Sequence, residues 1–180
     1  MSELPSIRPV RPSDHPDVRR VVERAFGSVV EADLAERIRA SSEYIPELEL
    51  VAVCDHDVSG HVMVSSALLR RDDGDVPIVM LSPLAVDPAH QRRGIGSALV
   101  RVVADRTARR DEPLIVVEGD HRYYARFGFE HAAPYGITLP LPDWAPSEAG
   151  QVLWLGDAPA PGVPHALRGT VVYPPAFDGL

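Results

Sequence analysis

Apolar residues between positions 18 and 38 recur three and four apart. Val18, Val21, Val22, Ala25 and Phe26 share one helical face, with Ser13 or Asp14 placed to cap the start and Gly27 to end it. Val30, Leu34 and Ile38 predict a second helix, and residues 6–10 a short strand before the first. The pattern then becomes that of strands. Residues 48–54 and 58–69 flank Asp55-His56-Asp57 and predict a hairpin. A turn at Asp73-Gly74 leads to another strand over 78–86. That strand contains Pro83, which lacks the N–H a central ladder needs, so a bulge or splay is expected there. Residues 94–110 predict the clearest helix. Ile95, Ala98, Leu99, Val102 and Val103 form its apolar face, and arginines gather at the end where the helix dipole favours cations. A buried strand is predicted over 114–117, then a short helix capped by Asp120 and broken at Gly128. Beyond Ala132 come Pro134, Pro140, Pro142, Pro146, Pro159, Pro161 and Pro164, leaving room for strands at 151–155 and 169–173. This order predicts an α/β or α+β fold with a mixed sheet. There is no internal repeat, and residues 1–180 are read as one domain, with 134–180 a proline-rich extension of it.

Composition narrows the function. Hydrophobic residues at 45% and charged residues at 24% fit a soluble globular chain. The net charge of −8 argues against a nucleic-acid partner, because phosphate neutralisation needs a basic surface. A local basic pocket is still allowed, and every basic residue other than histidine is arginine. The N-terminal residues carry no leader-like apolar run, and nowhere is there an apolar stretch of the ~18 residues a membrane span needs. The expectation is a cytoplasmic protein with no membrane partner. Cys54 is the one cysteine, so no disulfide can form within the chain; it is expected as a buried thiol. No His/Cys/Asp cluster has metal-ligand spacing, so no metal is expected.

The candidate chemistry lies in "QRRGIGS", residues 91–97. A helix N-terminus offers backbone N–H groups without partners and the positive end of the dipole. Gly94 and Gly96 would let an anion approach, and Arg92 and Arg93 add forked donors suited to phosphate. The segment reads as a pyrophosphate cradle. A dinucleotide fingerprint would need glycine where Leu99 stands, and a P-loop would need Gly-Lys-Ser/Thr, which is absent. A plain tight turn with solvated arginines remains the alternative on these residues alone.

Residues 81–99, "LSPLAVDPAHQRRGIGSAL", resemble the acetyl-CoA-binding core of the GCN5-related N-acetyltransferase (GNAT) superfamily. Gln91, Gly94 and Gly96 fill its Gln/Arg-x-x-Gly-x-Gly/Ala positions. Tyr124-Ala125-Arg126-Phe127-Gly128-Phe129 resembles the family's Tyr-x-x-x-Gly-Phe segment, and "GDHRYYARFGF" and "GTVVYPPAF" are similar to a bacterial subgroup, the YhbS-like proteins.

The resemblance implies a mixed central sheet flanked by helices and splayed at the strand before the glycine turn. It implies acetyl-CoA as cosubstrate, and direct transfer of acetyl to a primary amine of a small-molecule or peptide acceptor. The backbone of Leu84, Ala85 and Val86 would take the pantetheine arm, one of them supplying an oxyanion N–H. Gln91, Arg92, Arg93, Gly94, Ile95, Gly96 and Ser97 would hold the pyrophosphate. Tyr124 would protonate the leaving thiolate, with Tyr123 a packing residue. Glu118 is the candidate base, with His121, Glu49 or a water chain as alternatives. The asparagine many relatives carry after the fifth strand is missing from Glu118-Gly119-Asp120. A non-catalytic acyl-CoA-binding or regulatory module on the same fold stays open as a rival, as does a homodimer.

Overall fold

The computed structural model describes residues 5–160 and 167–180; Pro161 and Pro164 of the expected proline-rich tail lie outside the described residues, as do residues 1–4. The elements run β1 (Ser6–Pro9), α1 (His15–Phe26), α2 (Val30–Arg39), β2 (Tyr44–Cys54), β3 (Asp57–Arg70), β4 (Val76–Val86), α3 (Ile95–Thr107), β5 (Leu114–Glu118), α4 (His121–Tyr124), β6 (Glu130–His131), β7 (Ile137–Thr138), β8 (Gly150–Trp154) and β9 (Gly169–Val172). The strands form one sheet in the order β1-β2-β3-β4-β5-β8-β6, with β9 pairing both β3 and β7. Pairing is antiparallel except at β4/β5 and β7/β9.

The sheet is covered on both faces, as the alternation of its strands requires. On one face Ile95, Leu99, Val100 and Val103 of α3 pack on Leu50, Ala52, Val62, Leu81 and Ile115. On the other, α1 sets Val18, Val21 and Val22 against Val51, Val58 and Ala85, and α2 sets Leu34 and Ile38 against Met63. Tyr135, Ile137, Leu139 and Val171 cover Ile78, Met80, Leu114 and Val116, so the proline-rich segment contributes both strands and core. Among the described residues no helix is long and apolar enough to cross a membrane.

Two local expectations, for Asp14 and Cys54, are revised, while the hairpin holds. Asp14 precedes α1 but makes no side-chain cap bond; its carboxylate instead accepts from both Arg8 Nη atoms, at 2.6 and 3.0 Å, and from the Arg11 N–H at 2.7 Å. A charged fork is the stronger donor. The β2–β3 turn is tight, with Asp55 and His56 both at positive φ, 49° and 73°. Cys54, beside that turn, is half-buried rather than buried, and its Sγ accepts from the Ser59 hydroxyl at 3.2 Å.

The feature that positions the site is the end of β4. Leu84 pairs with Val62 and Leu81 with Val64, so Ser82 and Pro83 together face Met63 in a bulge. β4 pairs with β5 only at Val79↔Ile115 and Met80↔Val116. β5 then continues alongside β8 as far as Glu118↔Gly150. Beyond Met80 the two central strands part, as the proline predicted.

Candidate active site

Two cavities flank the opened end of β4. The first, of about 670 Å³, lies between Leu84, Ala85 and Val86 on the strand and Gln91, Arg92, Gly94, Ile95, Gly96 and Ser97 on the turn. The N–H of Asp87 donates to the Ser59 carbonyl at 2.9 Å. By the alternation of an antiparallel ladder, Ala85 also faces β3, while the polar groups of Leu84 and Val86 face the gap. The Gln91 amide donates to the Val86 carbonyl at 3.1 Å and ties the turn to the strand. Arg93 is exposed and does not line this cavity.

The turn depends on left-handed backbone at Arg92 (φ 59°) and Gly94 (φ 83°). The conformation costs a side-chain-bearing residue roughly 1–2 kcal/mol, which explains glycine at one of the two. A Cβ on Gly94 would meet no atom within 4 Å, so the space beside it is open. The Ala98 N–H donates to the Gly94 carbonyl at 2.9 Å and opens the helical ladder. The N–H groups of Ile95, Gly96 and Ser97 precede it and remain available to an anion. Gly96 lines the cavity and also meets a neighbour that was not expected. A Cβ there would lie 2.5 Å from the Tyr123 hydroxyl and 3.4 Å from Val86 Cγ2, so this glycine makes room for a tyrosine.

Sequence reading missed four side chains of this cavity: Ala25, Phe26, Tyr123 and Arg126. The Arg126 guanidinium sits 4.5 Å from the Tyr123 ring centroid, and its Nε donates to the Tyr123 carbonyl at 3.1 Å. Spacing three apart on a helical turn was the available signal.

The second cavity, of about 950 Å³, lies on the other side of Leu84, and the two share Leu84 and Phe26. Tyr124, Glu118 and His121 line it, so two expected catalytic residues and one alternative base come together. Tyr124 is 8% exposed, and burial, with a smaller contribution from Tyr123, pushes its phenol above the ordinary range. It is held from behind by Gly119, where a Cβ would lie 2.8 Å from the ring. The Gly119 carbonyl accepts from the Gln151 amide at 3.2 Å, and its N–H donates to the Ala149 carbonyl at 3.0 Å. Asp120 caps α4 as expected, accepting from the Arg122 N–H at 2.9 Å. Glu118 accepts from the hydroxyl of Tyr173 at 2.9 Å, a partner 55 residues away that no local pattern could reveal. Burial and the Glu118 charge together push the Tyr173 phenol up, keeping it a donor.

Glu49 lines neither cavity. It is fully buried, and its oxygens are occupied by Arg39 at 2.5 Å, Tyr44 at 2.7 Å and His61 at 2.9 Å. Burial opposes its charge, but bonds from His61 and Arg39 outweigh that and hold its carboxyl at about 2. A carboxylate so engaged is a structural ion and no base for the acceptor. Burial lowers His61, whose Nε2 stands 2.9 Å from a Glu49 oxygen. Among the described residues no group of three or more His, Cys, Asp or Glu could hold a metal ion.

Residues 6–132 match the acetyltransferase (GNAT) domain family. Two Escherichia coli proteins are similar to the chain. The uncharacterized N-acetyltransferase YhbS is 32% identical over 158 residues, 87% of this chain and 91% of its own length. The uncharacterized N-acetyltransferase YjhQ is 32% identical over 134 residues, covering 73% and 74%. Among solved structures, E. coli YhbS in complex with CoA superposes with a TM-score of 0.85 at 29% identity, covering 98% of this chain and 93% of that one. A GNAT-family acetyltransferase from Brucella melitensis in complex with acetyl-CoA gives 0.75 at 28% identity, covering 97% and 98%.

Proposed function

Because this chain belongs to the GNAT acetyltransferase family, we propose that it moves an acetyl group from acetyl-CoA directly onto a primary amine, at the point where its two cavities meet. The observation that carries the reading is the parting of β4 from β5 beyond Met80, which opens both cavities onto Leu84. The solved relatives hold CoA or acetyl-CoA, and the first cavity suits that cosubstrate. Open space beside Gly94, unpaired N–H groups at the start of α3 and the Arg92 side chain fit a pyrophosphate. When bound, the thioester supplies an activated acetyl group and a thiol leaving group.

The chain's own residues divide the remaining work. The N–H of Leu84 faces the gap, and Leu84 lines both cavities, so this N–H is the proposed donor to the carbonyl oxygen as charge builds there. Val86 faces the same gap but lines only the cosubstrate side. Glu118, oriented by Tyr173, is the proposed acceptor of the amine proton. Tyr124 is the proposed proton donor to sulfur; burial keeps its phenol protonated. Gly119 fixes where that hydroxyl can lie.

Titration calorimetry of CoA into the purified chain tests the first cavity. Saturable binding and a raised melting temperature are expected, since a ligand of the folded state stabilises it by mass action. Arg92→Ala should weaken binding about tenfold, by loss of a charge-assisted contact. Absence of both heat and thermal shift at millimolar CoA would overturn the proposal.

A further inference from the structure

The second cavity has an unusual wall for a chain with 18 arginines: none lines it. Its charged residues are acidic, Glu31, Glu118 and Asp120, with His121 beside them. Glu31 projects from the first turn of α2, and its Oε2 is buried with no hydrogen-bond partner among the described residues. The mouth is apolar. Of the six large apolar residues exposed among the described residues, four line this cavity: Phe26 at 45%, Val30 at 45%, Leu180 at 57% and Trp144 at 84%. Exposed apolar side chains gathered at one cavity mark a ligand surface.

We infer that the acceptor is a hydrophobic primary amine without a carboxylate, an arylalkylamine, which enters as a cation. The inference rests on the amine-acetyltransferase reading above and names its substrate class. The ammonium group would be drawn by Glu31 and Glu118. The aryl body would cover Trp144, Phe26 and Val30, removing apolar area from water. A carboxylate on the same carbon skeleton would meet acidic residues with no arginine to pair it, which is exclusion by like charge. A polyamine would leave the apolar mouth uncovered.

The test is equilibrium titration of 2-phenylethylamine, phenylalanine, spermidine and an alanine-initiated tripeptide into the chain, each with and without saturating CoA. CoA is used instead of acetyl-CoA, so no turnover intervenes. The expected result is tightest binding of 2-phenylethylamine, with phenylalanine at least about tenfold weaker. Shortening the amine to benzylamine should weaken it about fourfold, the worth of one buried methylene. Trp144→Ala should weaken 2-phenylethylamine about tenfold and leave CoA affinity within twofold. Glu31→Gln should narrow the gap between 2-phenylethylamine and phenylalanine. Preference for phenylalanine, spermidine or the tripeptide would overturn the inference, as would no measurable binding of 2-phenylethylamine in either condition. Any of these outcomes leaves the transferase reading standing if CoA binds and some amine is acetylated. Loss of CoA binding would strike that reading alone, because the amine ranking is measured without CoA as well.

Discussion

Replacing Gly96 by alanine sets two accounts of the glycine turn against each other. If the residue is glycine to admit phosphate, a methyl group there should weaken CoA binding whatever occupies position 123. The structure gives another reason. The added Cβ would lie 2.5 Å from the Tyr123 hydroxyl, whereas its contact to Val86 Cγ2, at 3.4 Å, is ordinary. The tyrosine must therefore retreat by roughly 1 Å to restore van der Waals separation. It is poorly placed to do so. Its ring lies 5.0 Å from that of Tyr124, 5.4 Å from Phe127 and 4.5 Å from the Arg126 guanidinium. Overpacking of this kind costs about 1–3 kcal/mol. Against it stands the helix preference of alanine over glycine, worth up to ~1 kcal/mol in a helix interior and less at this second position of α3. The net expectation is a loss of about 1–2 kcal/mol, or ~2–8 °C in melting temperature for a chain of this size. Tyr123→Phe removes the one atom in collision, since the next ring atom is 3.7 Å away. In that background Gly96→Ala should be neutral or stabilising. The assay is a double-mutant cycle by chemical denaturation, with CoA affinity measured on all four proteins. A coupling energy of at least ~1 kcal/mol is expected. Equal destabilisation in both backgrounds, or a CoA defect that Tyr123→Phe does not relieve, would refute the reasoning.

Other consequences are as definite. Tyr124→Phe keeps the ring and its packing, so CoA affinity and melting temperature should hold while single-turnover acetyl transfer falls by ~10²–10⁴; an unchanged rate would remove the phenol from the mechanism. Because burial raises that phenol above its ordinary 10.0, wild-type rate should show no alkaline fall from Tyr124 up to about pH 10, and such a limb abolished by Tyr124→Phe would contradict the burial argument. Gly119→Ala should displace the Tyr124 ring and reproduce most of its rate loss with CoA binding intact, whereas full activity would mean the ring can yield. Glu49, held at about 2 against an ordinary 4.5, binds its proton more weakly folded than unfolded. Its stabilisation is complete above about pH 4.5 and lost as the pH falls toward 2, so denaturation midpoints should drop across that window. Glu49→Gln should flatten the drop and cost about 3–5 kcal/mol at neutral pH by stranding Arg39.

What the sequence made legible was local. The α1 and α3 helices declare themselves through spacing, and Pro83 announces the opened strand, because each depends on neighbours a few positions apart. The glycine turn and the Tyr124 segment are legible for the same reason. The partners that complete the site come from far along the chain. Tyr173 reaches Glu118 across 55 positions, and Trp144 stands in a proline-rich stretch with no periodicity to read. Glu49 looked like a free carboxylate because Arg39, Tyr44 and His61 converge on it only when α2 lies across β2 and β3. The two-residue strands β6 and β7 are too short to carry an alternation and exist by pairing with β8 and β9. Gly96 matched the glycine expected at its position, yet the atom it avoids belongs to a side chain 27 positions onward.

The account stands most directly on whether acetyl passes from thioester to amine without stopping on the protein. Acetyl-CoA carrying an isotopic label in its acetyl group, incubated with the chain and 2-phenylethylamine or whichever amine the chain acetylates fastest, decides this by mass spectrometry of amine and protein together. The account predicts label on the amine, CoA released in equal amount, and none on the protein at any time. Label accumulating on the protein, or CoA bound with no label reaching any amine, would contradict it.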